Sequence, residues 1–373
     1  MNGTINENSL NNKKDINLLL CMEQIVSQYT VGYYNSMDST KEVLLSEYMY
    51  LYALTVFIIG EDDKSVKWRA VIETIIFEYI SFASFPGFNY MYFKDLISQK
   101  GTYKELILEK WKCLGETLLG KYVRYLELNE NNEICEAAKI YVSILLDEEK
   151  DINQEIYDKL YCYIHLKGLQ KLLLKQKEYH LLKKLSMLNN RVRWAHKSSI
   201  YSISVSAHSF GVAFGAVAPL ISNNRCNGEI LYDIFFIALF HDIYEIFTGD
   251  IIYPVKAWFK SRDNYWTHYE SEIFQNRMKT YLETGCGKKI LRFLSRVEDI
   301  GKREEYYALI KFLDELNAYC EGMEYGLVDE KNECGCDGLI VEKYREVDNI
   351  YNVYIKNAIS LIIVRNPEKY PVK

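Results

Sequence analysis

Proline and the alternation typical of β-strands are both scarce in this chain. Only 5 of its 373 residues are proline, and alternating polar and apolar residues are seldom sustained. Long stretches such as residues 159–188 instead repeat apolar residues three and four positions apart, with Lys and Glu between them, which is the period of an amphipathic helix. The sequence therefore excludes a fold built mainly on β-sheets and predicts an all-α protein. Breaks between helices are predicted where Gly, Pro, Asn and Ser cluster, at residues 84–87, 129–132, 222–228, 284–288 and 332–338.

A paired cysteine framework is also lacking. The nine cysteines are an odd number and are scattered along the chain, which argues against a disulfide scaffold. Cys334 and Cys336 stand one residue apart, too close for the usual zinc chelate loop. Residues 1–17 are polar and Asn-rich, without the apolar core of a signal peptide. We therefore expect reduced thiols in a cytoplasmic protein.

Uninterrupted apolar runs and a strong charge of one sign are absent as well. The two longest apolar stretches, residues 203–221 and 230–247, are interrupted by ionisable side chains, so neither is expected to span a membrane. The net charge is −6 and both signs are mixed along the chain, so a nucleic-acid polymer is not the expected partner. With 373 residues, 49% of them hydrophobic, the chain is long enough for one large domain or two ordinary domains with buried cores, and we expect two.

Four residues of metal-ligand type lie at separate places in the second half of the chain. They are His208, the adjacent pair His241 and Asp242, and Asp314 in the segment Leu-Asp-Glu-Leu-Asn-Ala. Imidazole and carboxylate together suit a divalent ion, and such an ion activates water for hydrolysis of phosphate esters. The residues therefore indicate a candidate metal-dependent hydrolase.

The helical pattern places these residues on three helices. His208 lies near the start of an apolar helix, and His241 and Asp242 are predicted within a helix that begins near Glu229. Adjacent helical residues point about 100° apart, so both can ligate one ion only at a helix end or in a shared cleft. We expect the metal centre where three helices cross.

The order His, His-Asp and distant Asp resembles the HD-domain phosphohydrolase superfamily. The segment His-Asp-Ile-Tyr-Glu-Ile-Phe-Thr-Gly-Asp-Ile-Ile-Tyr-Pro-Val-Lys, residues 241–256, is similar to the HD-family 5′-deoxynucleotidases, which hydrolyse deoxyribonucleoside 5′-monophosphates. Arg193 and Trp194 match that family's substrate motif, and the resemblance covers about residues 178–350. It implies a helical HD domain, homodimers in typical members, and one divalent ion held by His208, His241, Asp242 and Asp314.

Other residues of these motifs have candidate roles in catalysis and substrate binding. Glu245 is one helical turn beyond Asp242, so it can face the metal cleft and is the candidate general acid or base. Asp250 is a second candidate catalytic residue and a candidate acceptor for a sugar hydroxyl. Arg193 offers a planar fork of donors to a phosphate, and Trp194 offers a rigid wall to the sugar and base. Lys256 is expected to add positive charge.

One position departs from the family pattern. The family commonly has Glu directly before the first metal-binding His, whereas this chain has Ala207. The replacement takes away a polar group close to the metal, but it leaves the four candidate ligands in place.

A fainter signal in the first half of the chain suggests a tandem duplication. Three short segments can be laid over the ligand motifs at offsets of 160 to 167 residues. They place Tyr48 opposite His208, Glu78 and Tyr79 opposite His241 and Asp242, and Asp147 opposite Asp314. We therefore expect two tandem HD-like domains: a degenerate one without metal at residues 1–170 and a metal-bearing one at residues 178–373. The two would pack as an intrachain pseudo-dimer, with a homodimer as the other possibility.

The expected activity is removal of the 5′-phosphate from (deoxy)ribonucleoside monophosphates by metal-activated water. One divalent ion is expected, and Mn, Co, Mg, Zn and Fe all remain open. HD domains also act on nucleoside triphosphates, cyclic dinucleotides and alarmones, and some with extra ligands are di-iron oxygenases. A nucleotide-sensing or scaffold protein without catalysis is the alternative outside enzymes.

Overall fold

The computed structural model describes a helical protein. The part of the chain that it describes comprises residues 18–30, 32–34, 42–85, 102–128, 132–146, 154–195, 202–222, 226–251, 255, 258–259, 265–295 and 300–325.

The described chain consists almost entirely of helices, so the all-α prediction is confirmed. The described residues also contain two antiparallel pairs of short strands: β1 (Gly32–Tyr34) with β2 (Glu42–Leu44), and β3 (Val192–Arg193) with β4 (Ile203–Ser204). The α-helices are α1 (Leu18–Val26), α2 (Leu45–Gly60), α3 (Trp68–Ser84), α4 (Thr102–Lys110), α5 (Gly115–Leu128), α6 (Glu133–Leu146), α7 (Gln154–Tyr161), α8 (Lys167–Leu173), α9 (Lys177–Leu185), α10 (Val205–Ser222), α11 (Gly228–Leu239), α12 (Glu245–Thr248), α13 (Tyr265–Leu282), α14 (Gly285–Leu294) and α15 (Ile300–Glu324).

Helix α10 lies at the centre of the molecule and packs against α2, α11 and α15. By length and composition this helix could cross a membrane, but 89% of it is buried inside the protein. Its last turn is capped by the first half of the chain, because Lys121 Nζ donates to the carbonyl of Ile221 at 2.6 Å and Arg69 Nη2 donates to it at 3.3 Å. Cations suit this end of a helix, where carbonyl groups lack partners.

The two halves of the chain share one hydrophobic core. Helix α2 packs against α3, α6 and α10, and α3 packs against α11. Aromatic pairs connect the halves: the rings of Phe57 and Phe236 lie 4.8 Å apart, and those of Tyr79 and Phe210 lie 5.1 Å apart. Aromatic pairs at these separations add about 0.5–1.5 kcal/mol beyond the buried area.

The cysteines in the described residues are free thiols, and all but Cys162 are buried. Cys334, Cys336 and the predicted break at 332–338 lie outside the described residues.

Three local predictions differ from the structure. The helical pattern of residues 159–188 is divided among α7, α8 and α9, and Lys175, between α8 and α9, has φ +50°, a left-handed conformation that stops a helix. Thr284 caps α14 by accepting from the Gly287 amide at 3.0 Å, so the break lies at residues 283–284 rather than 284–288. Helix α11 ends at Leu239, two residues before His241.

Close packing of α10 predicts a large effect of one added methyl group. A Cβ at Gly211 would lie 1.7 Å from Tyr29 Oη and 2.6 Å from Asn317 Nδ2, so Gly211→Ala forces apart a packed contact. We expect it to lower the free energy of unfolding by about 1–3 kcal/mol, measured by urea unfolding.

Gly120→Ala is the matched control. Gly120 is an exposed residue of α5, and an added Cβ would meet nothing within 4 Å. This change should raise the free energy of unfolding by about 0.5–1 kcal/mol. Equal stability of the two variants would contradict the packing described here.

Candidate active site

The four candidate metal ligands come together where α10, the end of α11 and α15 meet. One ligand atom from each of His208, His241, Asp242 and Asp314 lies within 4.8 Å of the others. His208 Nε2 lies 3.0 Å from Asp314 Oδ1 and 3.8 Å from Asp242 Oδ2, and His241 Nε2 lies 3.2 Å from Asp242 Oδ2. His241 and Asp242 follow the end of α11 instead of lying within it, so the turn aims both side chains into the cluster.

Both imidazoles are oriented so that Nε2 faces the cluster. His241 Nδ1 lies 2.7 Å from the carbonyl oxygen of Ala238, to which it donates, and His208 Nδ1 lies 2.8 Å from Glu321 Oε1. In the neutral form of each ring, donation from Nδ1 leaves the lone pair on Nε2, which is the form that binds a metal. His241 Nε2 is buried and makes no hydrogen bond with any residue that the structure describes. The two nitrogens and two carboxylates therefore fit a single divalent ion.

The charges of the cluster favour a cation. Burial lowers the pKa of His241, but Asp242 and Asp314 more than offset this and raise it to about 10. Burial and Arg193 lower the pKa of His208, yet Glu321 and Asp314 hold it above its ordinary value. Burial raises the pKa of the Asp242 and Asp314 carboxyls, but the imidazoles beside them bring both below the usual range. Positive charge at this point is therefore stabilised.

Arg193 and Trp194, the two candidate substrate residues, lie beside the cluster. The β3–β4 pair sets Arg193 opposite Ile203, just before α10 begins. Arg193 Nη1 lies 3.5 Å from Asp242 Oδ2, and the side chain is only 9% exposed. Charges from Glu321, Asp250, Asp242 and Glu245 outweigh the effect of burial and keep the pKa of Arg193 above its ordinary value. The guanidinium thus adds a fixed positive charge next to the candidate metal ligands.

The backbone at Trp194 is strained. Its φ is +58°, a conformation that is costly for a bulky residue. Its amide donates to Asp250 Oδ2 at 3.3 Å, and its indole Nε1 donates to Glu321 Oε2 at 2.9 Å. Such strain persists where surrounding contacts hold it, and it is often found at functional sites.

Of the remaining candidate site residues, the structure describes Glu245 and Asp250 but not Lys256. Glu245 is the first residue of α12 and is 3% exposed. Asp250 follows Gly249, whose φ of +73° ends α12, and Asp250 contacts Trp194 as described above. Arg191 Nε donates to the carbonyl of Ile246 at 2.8 Å and so ties α12 to β3. Lys256 lies outside the described residues.

Two residues at the site were not predicted. Glu321 is fully buried and contacts His208, Arg193 and Trp194. Its signal in the sequence was its spacing, because it lies seven residues after Asp314 and therefore two turns further along the same helix face. Tyr50, on α2, is buried, and its hydroxyl makes no hydrogen bond within the described part of the chain. Burial and the charge of Asp242 raise the pKa of Tyr50.

Comparison with known proteins gives a match over the part of the chain that contains this site. Residues 180–332 match the model of the YfbR-like 5′-deoxynucleotidase family. No solved structure matches the chain.

Bacterial 5′-deoxynucleotidases are similar over the same part. A 5′-deoxynucleotidase of Vibrio vulnificus is 30% identical over 158 residues, which is 39% of this chain and 75% of the relative. One from Pectobacterium atrosepticum is 28% identical over 156 residues, or 39% of this chain and 72% of the relative. One from Vibrio parahaemolyticus is 30% identical over 159 residues, covering 40% of this chain and 75% of the relative. The chain therefore belongs to the YfbR-like 5′-deoxynucleotidase family and is an HD-family nucleotide phosphohydrolase.

Proposed function

We propose that this nucleotide phosphohydrolase removes the 5′-phosphate from nucleoside monophosphates, deoxyribonucleotides above all, in a reaction that depends on one divalent metal ion. The main support for this function is the convergence of four candidate ligand atoms within 4.8 Å of one another. The Arg193 guanidinium lies 3.5 Å from one of these residues, Asp242. The names of the relatives support deoxyribonucleoside monophosphates as the substrate class.

His208, His241, Asp242 and Asp314 would hold the ion, which supplies Lewis-acid activation of water and neutralises charge on the phosphoryl group. Arg193 binds a phosphoryl oxygen and stabilises the negative charge that develops there. The carboxyl group of Glu245 moves the proton, either from the attacking water or to the leaving 5′-oxygen. In these assignments the cationic side chain lies on β3 and the proton-transfer group lies at the start of α12.

Trp194 and Asp250 are the proposed contacts to the nucleoside. Trp194 is partly exposed and is held by hydrogen bonds at its amide and its indole nitrogen. A rigid indole offers a flat wall to the sugar or base. One oxygen of Asp250 accepts from the Trp194 amide, and a carboxylate can accept several hydrogen bonds, so Asp250 can also accept from a sugar hydroxyl.

We further propose that the first half of the chain is a degenerate HD-like repeat that packs as an intrachain pseudo-dimer. Helices α2, α3 and α6 pack on one another as α10, α11 and α15 do, and the paired helices α2 with α10 and α3 with α11 lie in contact. Tyr48 is the fourth residue of α2 and His208 the fourth of α10. Tyr48, Glu78 and Tyr79 cannot reproduce the two imidazoles of the second half, and Asp147 lies outside the described residues.

The first test is phosphate release by protein stripped of metal with EDTA. Ribo- and deoxyribonucleoside mono- and triphosphates are offered with Mn²⁺, Co²⁺, Mg²⁺, Zn²⁺ or Fe²⁺ restored in parallel. We expect release from deoxyribonucleoside monophosphates that depends on one of these ions. Full activity of stripped protein, or release from triphosphates alone, would contradict the proposal.

Loss of one metal ligand should abolish both metal uptake and turnover. We expect wild-type protein to bind one divalent ion per chain and His241→Ala and Asp242→Asn to bind none, as measured by equilibrium dialysis with elemental analysis. His165→Ala is the control, because its imidazole is 56% exposed and pairs with Glu133 on the surface. Two bound ions per wild-type chain would contradict a metal-free first half.

Loss of the Glu245 carboxylate should separate metal binding from chemistry. We expect Glu245→Gln to keep wild-type metal affinity and to lower kcat by about 10²–10⁴-fold, the usual contribution of a general acid or base. Glu283→Gln is the control, since Glu283 lies on the surface and is 62% exposed. A Glu245→Gln enzyme with unchanged kcat would remove Glu245 from the mechanism.

A further inference from the structure

Glu321 connects the candidate metal ligands to the candidate substrate residues through one carboxylate. Its Oε1 accepts from His208 Nδ1 at 2.8 Å. Its Oε2 accepts from Arg193 Nε at 3.0 Å and from Trp194 Nε1 at 2.9 Å. The carboxylate is 0% exposed, so these three protein donors surround it without solvent.

A carboxylate is the group that suits this position. An ionised carboxylate has two oxygens and no N–H or O–H, so it can accept from donors on both sides at once. The guanidinium of Arg193, whose Nε lies 3.0 Å from Oε2, supplies the positive charge that pairs with this buried carboxylate. The residue directly before His208 is Ala207, which has no polar side chain, so within the described structure Glu321 is the carboxylate that contacts Nδ1 of His208.

Each of the three contacts fixes the position of a side chain that has a role in the proposed function. The contact with His208 keeps the ring turned so that Nε2 faces Asp314 and Asp242. The contact with Arg193 holds the guanidinium so that Nη1 lies near Asp242. The contact with Trp194 holds the indole of a residue whose backbone is strained. One buried side chain therefore sets the relative positions of a metal ligand and two substrate groups.

We propose that Glu321 is a positioning residue for both halves of the site: it orients His208 toward the metal ion and holds Arg193 and Trp194 for the nucleotide. The inference rests on the proposed function, because it takes the four-residue cluster as the metal site. It adds a residue that acts through its neighbours and contacts neither metal nor substrate.

Glu321→Gln tests this role with almost no change in shape. A glutamine has one acceptor oxygen and one NH₂ group, so the NH₂ must face either His208 or the Arg193 and Trp194 donors. When it faces His208, the ring accepts at Nδ1 and carries its proton on Nε2, which then cannot bind a metal. When it faces the other side, donors meet donors and Arg193 and Trp194 move.

The experiment measures the dissociation constant for Mn²⁺ by calorimetry and KM for a deoxyribonucleoside monophosphate at saturating Mn²⁺. Outer contacts of this kind usually contribute 10–100-fold in metal affinity, so we expect Glu321→Gln to weaken Mn²⁺ binding by about 10–100-fold and to raise KM. Glu321→Asp keeps the charge on a side chain one methylene shorter, so it should recover part of the affinity.

Glu78→Gln is the matched control for the loss of a buried carboxylate. Glu78 is 1% exposed, lies in the first half of the chain, and accepts from Lys139 Nζ at 2.6 Å. Its replacement should lower the melting temperature without changing the Mn²⁺ dissociation constant or KM. Circular dichroism verifies the fold of each variant, and Glu321→Asp carries the test if Glu321→Gln does not fold.

The outcomes separate this inference from the proposed function. Wild-type protein that binds no divalent ion would overturn both. Wild-type protein that binds Mn²⁺, with Glu321 variants that bind it equally well and have the same KM, would overturn only the positioning role. Equal losses of Mn²⁺ affinity in Glu321→Gln and Glu78→Gln would reduce Glu321 to a structural residue.

Discussion

Burial of the His208 imidazole in the first turn of an otherwise apolar helix is the constraint on which the site depends. A buried polar group must find partners inside the protein, and both nitrogens of this ring do so. Glu321 takes Nδ1, while Nε2 faces Asp314 and Asp242. Glu321 also accepts hydrogen bonds from Arg193 and Trp194. The carboxylate that satisfies His208 therefore also holds the β3 segment against α15.

Helix α10, which carries His208, is held in place by its packing in the core. The helix is enclosed by α2, α11 and α15, so a ligand near its start is held by both halves of the chain. Gly211 lets Tyr29 approach one turn after His208, and the Tyr29 hydroxyl bonds to Asn317 in α15. In this arrangement the first half, in whose described residues no metal-ligand cluster is found, helps to hold the site residues of the second half in place.

The four candidate ligands could be identified from the sequence because their residue types and their order match the HD pattern, although they lie at three separate places in the chain. The helical class followed from periodicity. Periodicity did not predict where helices end, because tertiary packing and backbone conformation determine those positions. Lys175 interrupts an amphipathic pattern, and α11 ends before His241. Glu321 escaped prediction because an isolated glutamate in a helix ordinarily indicates a solvated face, and only the fold brings Arg193 to it across 128 residues of sequence.

Anomalous diffraction from crystals grown with Mn²⁺ would locate the bound ion. We expect one strong peak per chain, about 2.0–2.3 Å from His208 Nε2, His241 Nε2, and one oxygen each of Asp242 and Asp314, and no peak in the first half of the chain. A peak at other residues, or none at this cluster in crystals that hold Mn²⁺ elsewhere, would contradict this expectation.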